Sequence, residues 1–327
     1  MTDEAMAPRW RGEPGFFEIW FVVVFDASAE RAWWFRYTTF APRAGAPRGT
    51  IWAAAFETGK PSVWGKAVVP IERVHEAVAA LAQGVCEGHV EAGGHRIVWK
   101  LAIDPPCRVV RRGPRWLARV PAPTHVVHVA SETAVDGIVW VDDVERLVWQ
   151  APGTLKHIWG TRRVEELFWI YCPSLGNAAA FEATSVRIRR GRGPSLAPVW
   201  FRNGRYERRW WGVPEIFRNR VVPDGPGRIR VHAASAMRMI EAVAECDPAT
   251  FAGYVYRDPA GWDVHVAQSD VARCEVTLWS RPLPFGSWRN PRRFVGESAA
   301  VELHHPEPLP GVRYVEWEET APTEVRR

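Results

Sequence analysis

The feature that most limits the fold is how the chain is punctuated. Along its 327 residues, short apolar segments alternate with Gly, Pro and Asp turns, and helical periodicity is scarce. One helix is predicted. Ile71, Val74, Val78 and Leu81 recur at spacings of three and four behind Pro70, which marks Ile71–Ala82 as helical. Elsewhere the pattern is strand and hairpin. Val85–Ala92 and residues 95–101 flank the two-residue turn Gly93-Gly94. Residues 138–141 and 144–149 flank Asp142-Asp143, and residues 252–256 and 262–266 flank a Pro- and Gly-containing turn. Further strands are expected at residues 181–189, 229–234, 271–279 and 312–318. Many short strands at this spacing predict an all-β, mainly antiparallel protein of the barrel or sandwich type.

The chain is 47% apolar, enough for a sizeable core, and long enough for two domains. Trp is the compositional outlier, with 19 residues beside 14 Phe and 6 Tyr; aromatic side chains favour strands and line apolar cavities. A short pattern repeats. Glu18-Ile19-Trp20 is followed by Phe35-Arg36-Tyr37, and His157-Ile158-Trp159 by Trp169-Ile170-Tyr171. Turn residues cluster at Gln150-Ala151-Pro152-Gly153, so the expected division is 1–150 and 151–327.

At these residues the chain resembles the hydroxyneurosporene synthase (carotenoid 1,2-hydratase) group, which includes tocopherol cyclase-like proteins and Diels–Alderases. The stretch Gly15-Phe16-Phe17-Glu18-Ile19-Trp20-Phe21 is similar to the group's opening Glu-Trp-Trp-Tyr strand, with Ile19 in place of the first Trp. The stretch Leu155-Lys156-His157-Ile158-Trp159-Gly160 is similar to the strand opening the group's second domain, with Lys156-His157 where an acid often stands. The resemblance implies two lipocalin-like (calycin) barrels side by side. It also implies a cofactor-independent cyclase, isomerase or hydratase acting on a polyene, terpenoid or polyketide.

With a strand period of two, Glu18 and Trp20 share one face, as do His157 and Trp159. A buried Glu18 would hold its proton and serve as general acid, and Trp faces would stabilise developing positive charge. The candidate catalytic residues are therefore Glu18, His157, Tyr37 and Tyr171. Trp20, Trp34, Trp159 and Trp169 are the candidate substrate walls. The bland reading of Glu18 and His157 is a pair satisfied by hydrogen bonds to neighbouring strands, or to Arg162 and Arg163. A second function class, a non-catalytic carrier of apolar ligands, would use the same Trp-rich lumen.

Other classes are poorly supported. His125 and His128 stand three apart on an expected strand and so face opposite sides, and Glu302, His304 and His305 form no defined ligand set; no metal is expected. His89-x-Glu91 with Pro106-Cys107 lacks the second Cys of a deaminase signature. Residues 200–220 interleave Arg with aromatics, as a single-strand binder would, yet Asn203-Gly204 marks a hairpin with Arg on its wet face. The 42 basic residues, only four of them Lys, are scattered among 37 acids, so no nucleic-acid partner is expected. P-loop, dinucleotide, nucleophile-elbow and zincin motifs are absent from the sequence, and no organic cofactor is expected. Five Cys without a CxxC pair read as the reduced thiols of a cytoplasmic protein. Residues 1–14 have no apolar core of a secretory signal, and the longest apolar run, residues 16–25, is too short to span a bilayer. The partner expected is an apolar small molecule; the sequence does not set the oligomeric state.

Overall fold

The run Phe-Phe-Glu-Ile-Trp-Phe-Val-Val-Val-Phe along β1 (Phe16–Asp26) is apolar at odd and even positions alike, the mark of a strand covered on both faces. The computed structural model, which describes residues 2–104, 109–114, 122–176, 178–187 and 194–315, shows what covers it. The first sheet uses β1 with β2 (Arg31–Ala41), β3 (Arg48–Glu57), β4 (Val63–Val69), β5 (Val85–Ala92), β6 (His95–Ile103), β7 (Thr124–Val141) and β8 (Val144–Gly160). Its eight strands run in the order β4-β3-β2-β1-β8-β7-β6-β5. The edges β4 and β5 meet, so this sheet is nearly a barrel. At that seam, a Cβ on Gly65 would lie 2.7 Å from the Cβ of Ala92, a close approach that only glycine permits. A short α1 (Thr2–Met6) precedes β1. The predicted helix α2 (Ile71–Ala82) buries Val74, Val78 and Leu81 in the barrel's interior core.

The second sheet contains β9 (Glu166–Cys172), β10 (Ala179–Arg187), β11 (Val199–Asn203), β12 (Tyr206–Trp210), β13 (Arg220–Pro223), β14 (Arg228–Ala234), β15 (Arg238–Glu245), β16 (Ala252–Arg257), β17 (Asp263–Ser280) and β18 (Arg289–His305). A single-turn α3 (Glu215–Arg218) sits between β12 and β13. The order is β12-β11-β10-β9-β18-β17-β15-β14-β13, with β16 added on β17. The two halves share a plan: β9 pairs with β10 and β18 as β1 pairs with β2 and β8, all antiparallel. The all-β, lipocalin-like double barrel expected from the sequence is the fold observed.

Three expectations need correction. Residues 150–153 do not form a seam; they lie inside β8, where Gln150 has φ 47° and makes a bulge against Asp136. The chain changes sheet between Gly160 and Glu166. His157 and Trp159 therefore belong to the first sheet, paired directly with Trp20 and Glu18, and only Trp169 and Tyr171 begin the second. The strand expected at 312–318 is, within the described residues, a single parallel bridge from Tyr314 to Gly253.

Each barrel has its own apolar interior, and a third core lies between them. Odd residues of β1 and even residues of β2 turn toward that shared layer. They meet Trp169 and Tyr171 of β9, Tyr254 and Tyr256 of β16, and Val264 and Val266 of β17.

Candidate functional site

Two buried polar assemblies could carry chemistry. The first is inside the N-terminal barrel. Glu18 and His157 are fully buried on adjacent strands, with His157 Nε2 2.7 Å from Glu18 Oε1. His157 Nδ1 donates to the Ala5 carbonyl at 2.7 Å. The backbone N–H groups of Arg9 and Trp10 donate to the two Glu18 oxygens at 2.7 and 3.2 Å. Trp20 stacks on the imidazole, centroids 4.8 Å apart, and its indole N–H donates to the Met6 carbonyl at 2.9 Å. Trp159 lies 4.6 Å from the same imidazole. Residues 5–10 are thus latched onto the pair, and every Glu18 and His157 polar atom has a partner. Tyr37 is in the same interior but elsewhere. Its hydroxyl donates to the Glu87 carbonyl and accepts from Trp99 Nε1, and burial pushes its pKa well up.

The second assembly occupies the layer between the barrels. Arg36, in the apolar middle of β2, is buried with its guanidinium 4.3 Å from the Trp34 ring and 4.5 Å from the Phe21 ring. Its Nη2 donates to Gln268 Oε1 and lies 3.6 Å from Glu302 Oε2. The Tyr254 hydroxyl donates to the same Gln268 oxygen at 3.0 Å, which fixes the amide. Gln268 Nε2 therefore points at Asp270, 2.8 and 3.1 Å from its two oxygens. Burial pushes the Asp270 carboxyl up to about 7, outweighing the Gln268 hydrogen bond and the Arg36 charge that pull it down. Glu302 sits at about 2: burial raises it, but Arg36 and His304 pull it down further. Three donors in this layer, Arg36 Nε, Arg36 Nη1 and Trp34 Nε1, are buried without an acceptor.

Beside it, Glu182 of β10 gathers Lys156 of β8 at 2.8 Å, Arg112 at 3.0 Å and the Trp169 indole N–H at 2.9 Å. Burial lifts the Glu182 carboxyl, but His128, Lys156 and Arg112 outweigh it and hold it far below the usual range. Burial itself keeps His128 neutral, down at about 3, so Lys156 and Arg112 supply the compensating charge. Lys156 lies 3.7 Å over Trp169 and Arg112 3.5 Å over Trp200. Tyr171 donates its hydroxyl to the Ser131 carbonyl.

Of the residues predicted from sequence, Glu18, His157, Trp20 and Trp159 come together inside the first barrel. Trp34, Trp169 and Tyr171 face the inter-barrel layer instead of a lumen. Arg36, Gln268, Asp270, Glu302 and Glu182 were missed. For Arg36 the signal is visible in hindsight, a charge amid the aromatic run of β2, which is where buried charge is found; on the more polar β17 and β18 no such contrast marks Gln268, Asp270 or Glu302. Among the described residues, no group of three or more His, Cys, Asp or Glu is placed to hold a metal ion, and no helix is long and apolar enough to cross a membrane.

No protein-family model matches the chain. The uncharacterized protein Rv0493c of Mycobacterium tuberculosis H37Rv and protein MT0513 of strain CDC 1551 are each 25% identical over 222 residues, 64% of this chain. The match spans 65% of the length of those curated relatives. Among solved structures, a candidate AttH from Nitrosomonas europaea aligns with a TM-score of 0.50, 14% identity, 91% of this chain and 98% of its own. The two share the double-barrel fold. The complex of CghA with Sch210972 aligns with a TM-score of 0.48, 11% identity, 89% of this chain and 88% of its own.

Proposed function

We propose that this protein is a cofactor-independent cyclase, isomerase or hydratase acting on a large apolar substrate that carries an oxygen function, with the reacting end held between the barrels. The observation behind this reading is the set of buried donors without acceptors, Arg36 Nε, Arg36 Nη1 and Trp34 Nε1. Buried donors cost free energy unless an acceptor arrives, so the layer is built to receive an oxygen. Asp270, protonated up to about 7, would supply the proton directly to the substrate, with the Gln268 amide holding its carboxyl in place. Tyr254, Tyr256, Phe21 and Trp34 surround the guanidinium and would wall the apolar body of the substrate. The similarity of residues 15–21 and 155–160 to the carotenoid hydratase and cyclase group fits proton-driven chemistry on such a molecule. In this reading Glu18 and His157 hold the N-terminal segment and take no part in the reaction.

Native mass spectrometry of protein purified from its own host tests the reading. A retained apolar molecule is expected, lost from Arg36→Met and Trp34→Phe variants. Protein that carries nothing, and binds no polyene, terpenoid or polyketide offered to it, would defeat it. A bound molecule that is never converted, by the parent protein or by Asp270→Asn, would leave the carrier function instead.

A further inference from the structure

We infer that the tip of the β17–β18 hairpin is a docking element for an anionic lipid surface, independent of the inter-barrel site. Most exposed apolar residues in folded proteins are scattered singly, but those at this tip are grouped and project from the end of a long hairpin. Phe285 is 100% exposed and Leu283 67% exposed, set in the sequence Arg281-Pro282-Leu283-Pro284-Phe285-Gly286. The two prolines limit the conformations of the tip, so little ordering entropy is lost when it inserts. Met237, also exposed, stands beside it: its carbonyl accepts the Arg281 backbone N–H at 3.2 Å. The Arg281 guanidinium donates to the Ala236 carbonyl at 2.8 Å and covers the Trp288 ring at 4.2 Å, which fixes the tip on the adjacent β14–β15 turn.

Charge selects the occupant. Residues 276–296 contain Arg281, Arg289, Arg292 and Arg293 and no acid. Arg293 pairs with Glu275; among the described residues Arg281, Arg289 and Arg292 have no carboxylate within ion-pair distance. Exposed Phe and Leu at the tip, with guanidinium groups that face no carboxylate on the strand behind them, match the headgroup region of an anionic bilayer. There the apolar side chains reach the acyl boundary and the arginines meet phosphate. A second copy meeting this end tip to tip would set arginine against arginine, since residues 276–296 hold no acid. The contact is peripheral and requires no spanning segment.

The test is cosedimentation of the full chain with mixed phosphatidylcholine–phosphatidylserine vesicles, beside pure phosphatidylcholine vesicles. Binding to the mixed vesicles, weakened by salt, is expected. Leu283→Ser with Phe285→Ser should lower the partition at least about tenfold, since each side chain withdrawn from water contributes roughly that factor. Arg289→Ser and Arg292→Ser should each lower it about fivefold. Both sets lie on the exposed surface, so unchanged thermal melting is expected and separates loss of binding from loss of fold. No sedimentation of the parent chain, or equal sedimentation of the Leu283→Ser/Phe285→Ser variant, would overturn the inference. So would concentration-dependent self-association that this variant abolishes, because the tip would then serve a second copy.

Discussion

The Glu18–His157 pair and the Arg36–Gln268–Asp270 chain are both buried and polar, yet they differ in one respect. In the first, each polar atom meets a partner, and four of those partners are main-chain groups of residues 5–10 or the facing side chain. In the second, the amide of Gln268 is saturated while Arg36 keeps two donors and Trp34 one without an acceptor. A closed network rigidifies; an open one is poised for something that is not protein. The contrast assigns the first assembly to holding the N-terminal segment and the second to function, although the sequence drew attention to the first.

The largest expected effect separates the two assemblies by turnover. Asp270→Asn keeps the shape and the hydrogen bond to Gln268 but cannot give up a proton. Conversion of the retained molecule should fall by about 10²–10⁴, the usual worth of a general acid, with retention unchanged by native mass spectrometry. The paired variant Glu18→Gln/His157→Gln should convert it at the parent rate once its lower stability is allowed for. The reverse ranking would return the acid role to Glu18.

A second experiment compares what each assembly contributes to stability. Arg36→Met deletes the cation beside Glu302 and leaves that carboxylate buried with His304 in contact and Lys156 farther off. Denaturant unfolding should show a loss of about 3–5 kcal/mol, as for breaking a buried pair from one side. Glu18→Gln preserves an acceptor for Arg9 or Trp10 and should cost less, about 1–3 kcal/mol. Hydrogen exchange gives the finer reading. Glu18→Gln should speed exchange at Arg9 and Trp10 while leaving the amides of β2 and β17 as they were. Faster exchange throughout the first barrel would mean that the pair holds the barrel itself instead of the segment.

Much of the architecture was legible because its physics is local. Ile71–Ala82 is helical through a 3.6-residue period and a proline start. The hairpins at Gly93-Gly94 and Asp142-Asp143 follow from turn chemistry. The site was less legible for a different reason. Alternation divides a strand into two faces, but where both are apolar it does not say which face is the lumen. Trp34, Trp169 and Tyr171 were therefore assigned to lumens, and the inter-barrel layer was not anticipated. Arg36 and Gln268 are 232 residues apart, and nothing local links them. Gln150–Gly153 misled because a bulge and a boundary use the same residues.

The smallest effect per step of the experiment is a slope, at most about 1.4 kcal/mol per pH unit, and it sharpens the comparison within the open assembly itself. Asp270 has a folded pKa of about 7 against an ordinary 3.8, so the native state binds the proton more tightly than the unfolded chain. Stability should therefore fall as pH rises from near 4 toward 7, and Asp270→Asn should remove that decline. Glu302 behaves oppositely. Its folded pKa of about 2 lies below the ordinary 4.5, so its contribution is complete above the unfolded value and is lost as pH falls toward 2. Urea midpoints taken from pH 3 to 8 should thus show a maximum for the parent chain and a plateau above pH 5 for Asp270→Asn. If the variant kept the parent's decline, Asp270 would be ionised in the native state. The proton source for the inter-barrel site would then have to be sought elsewhere.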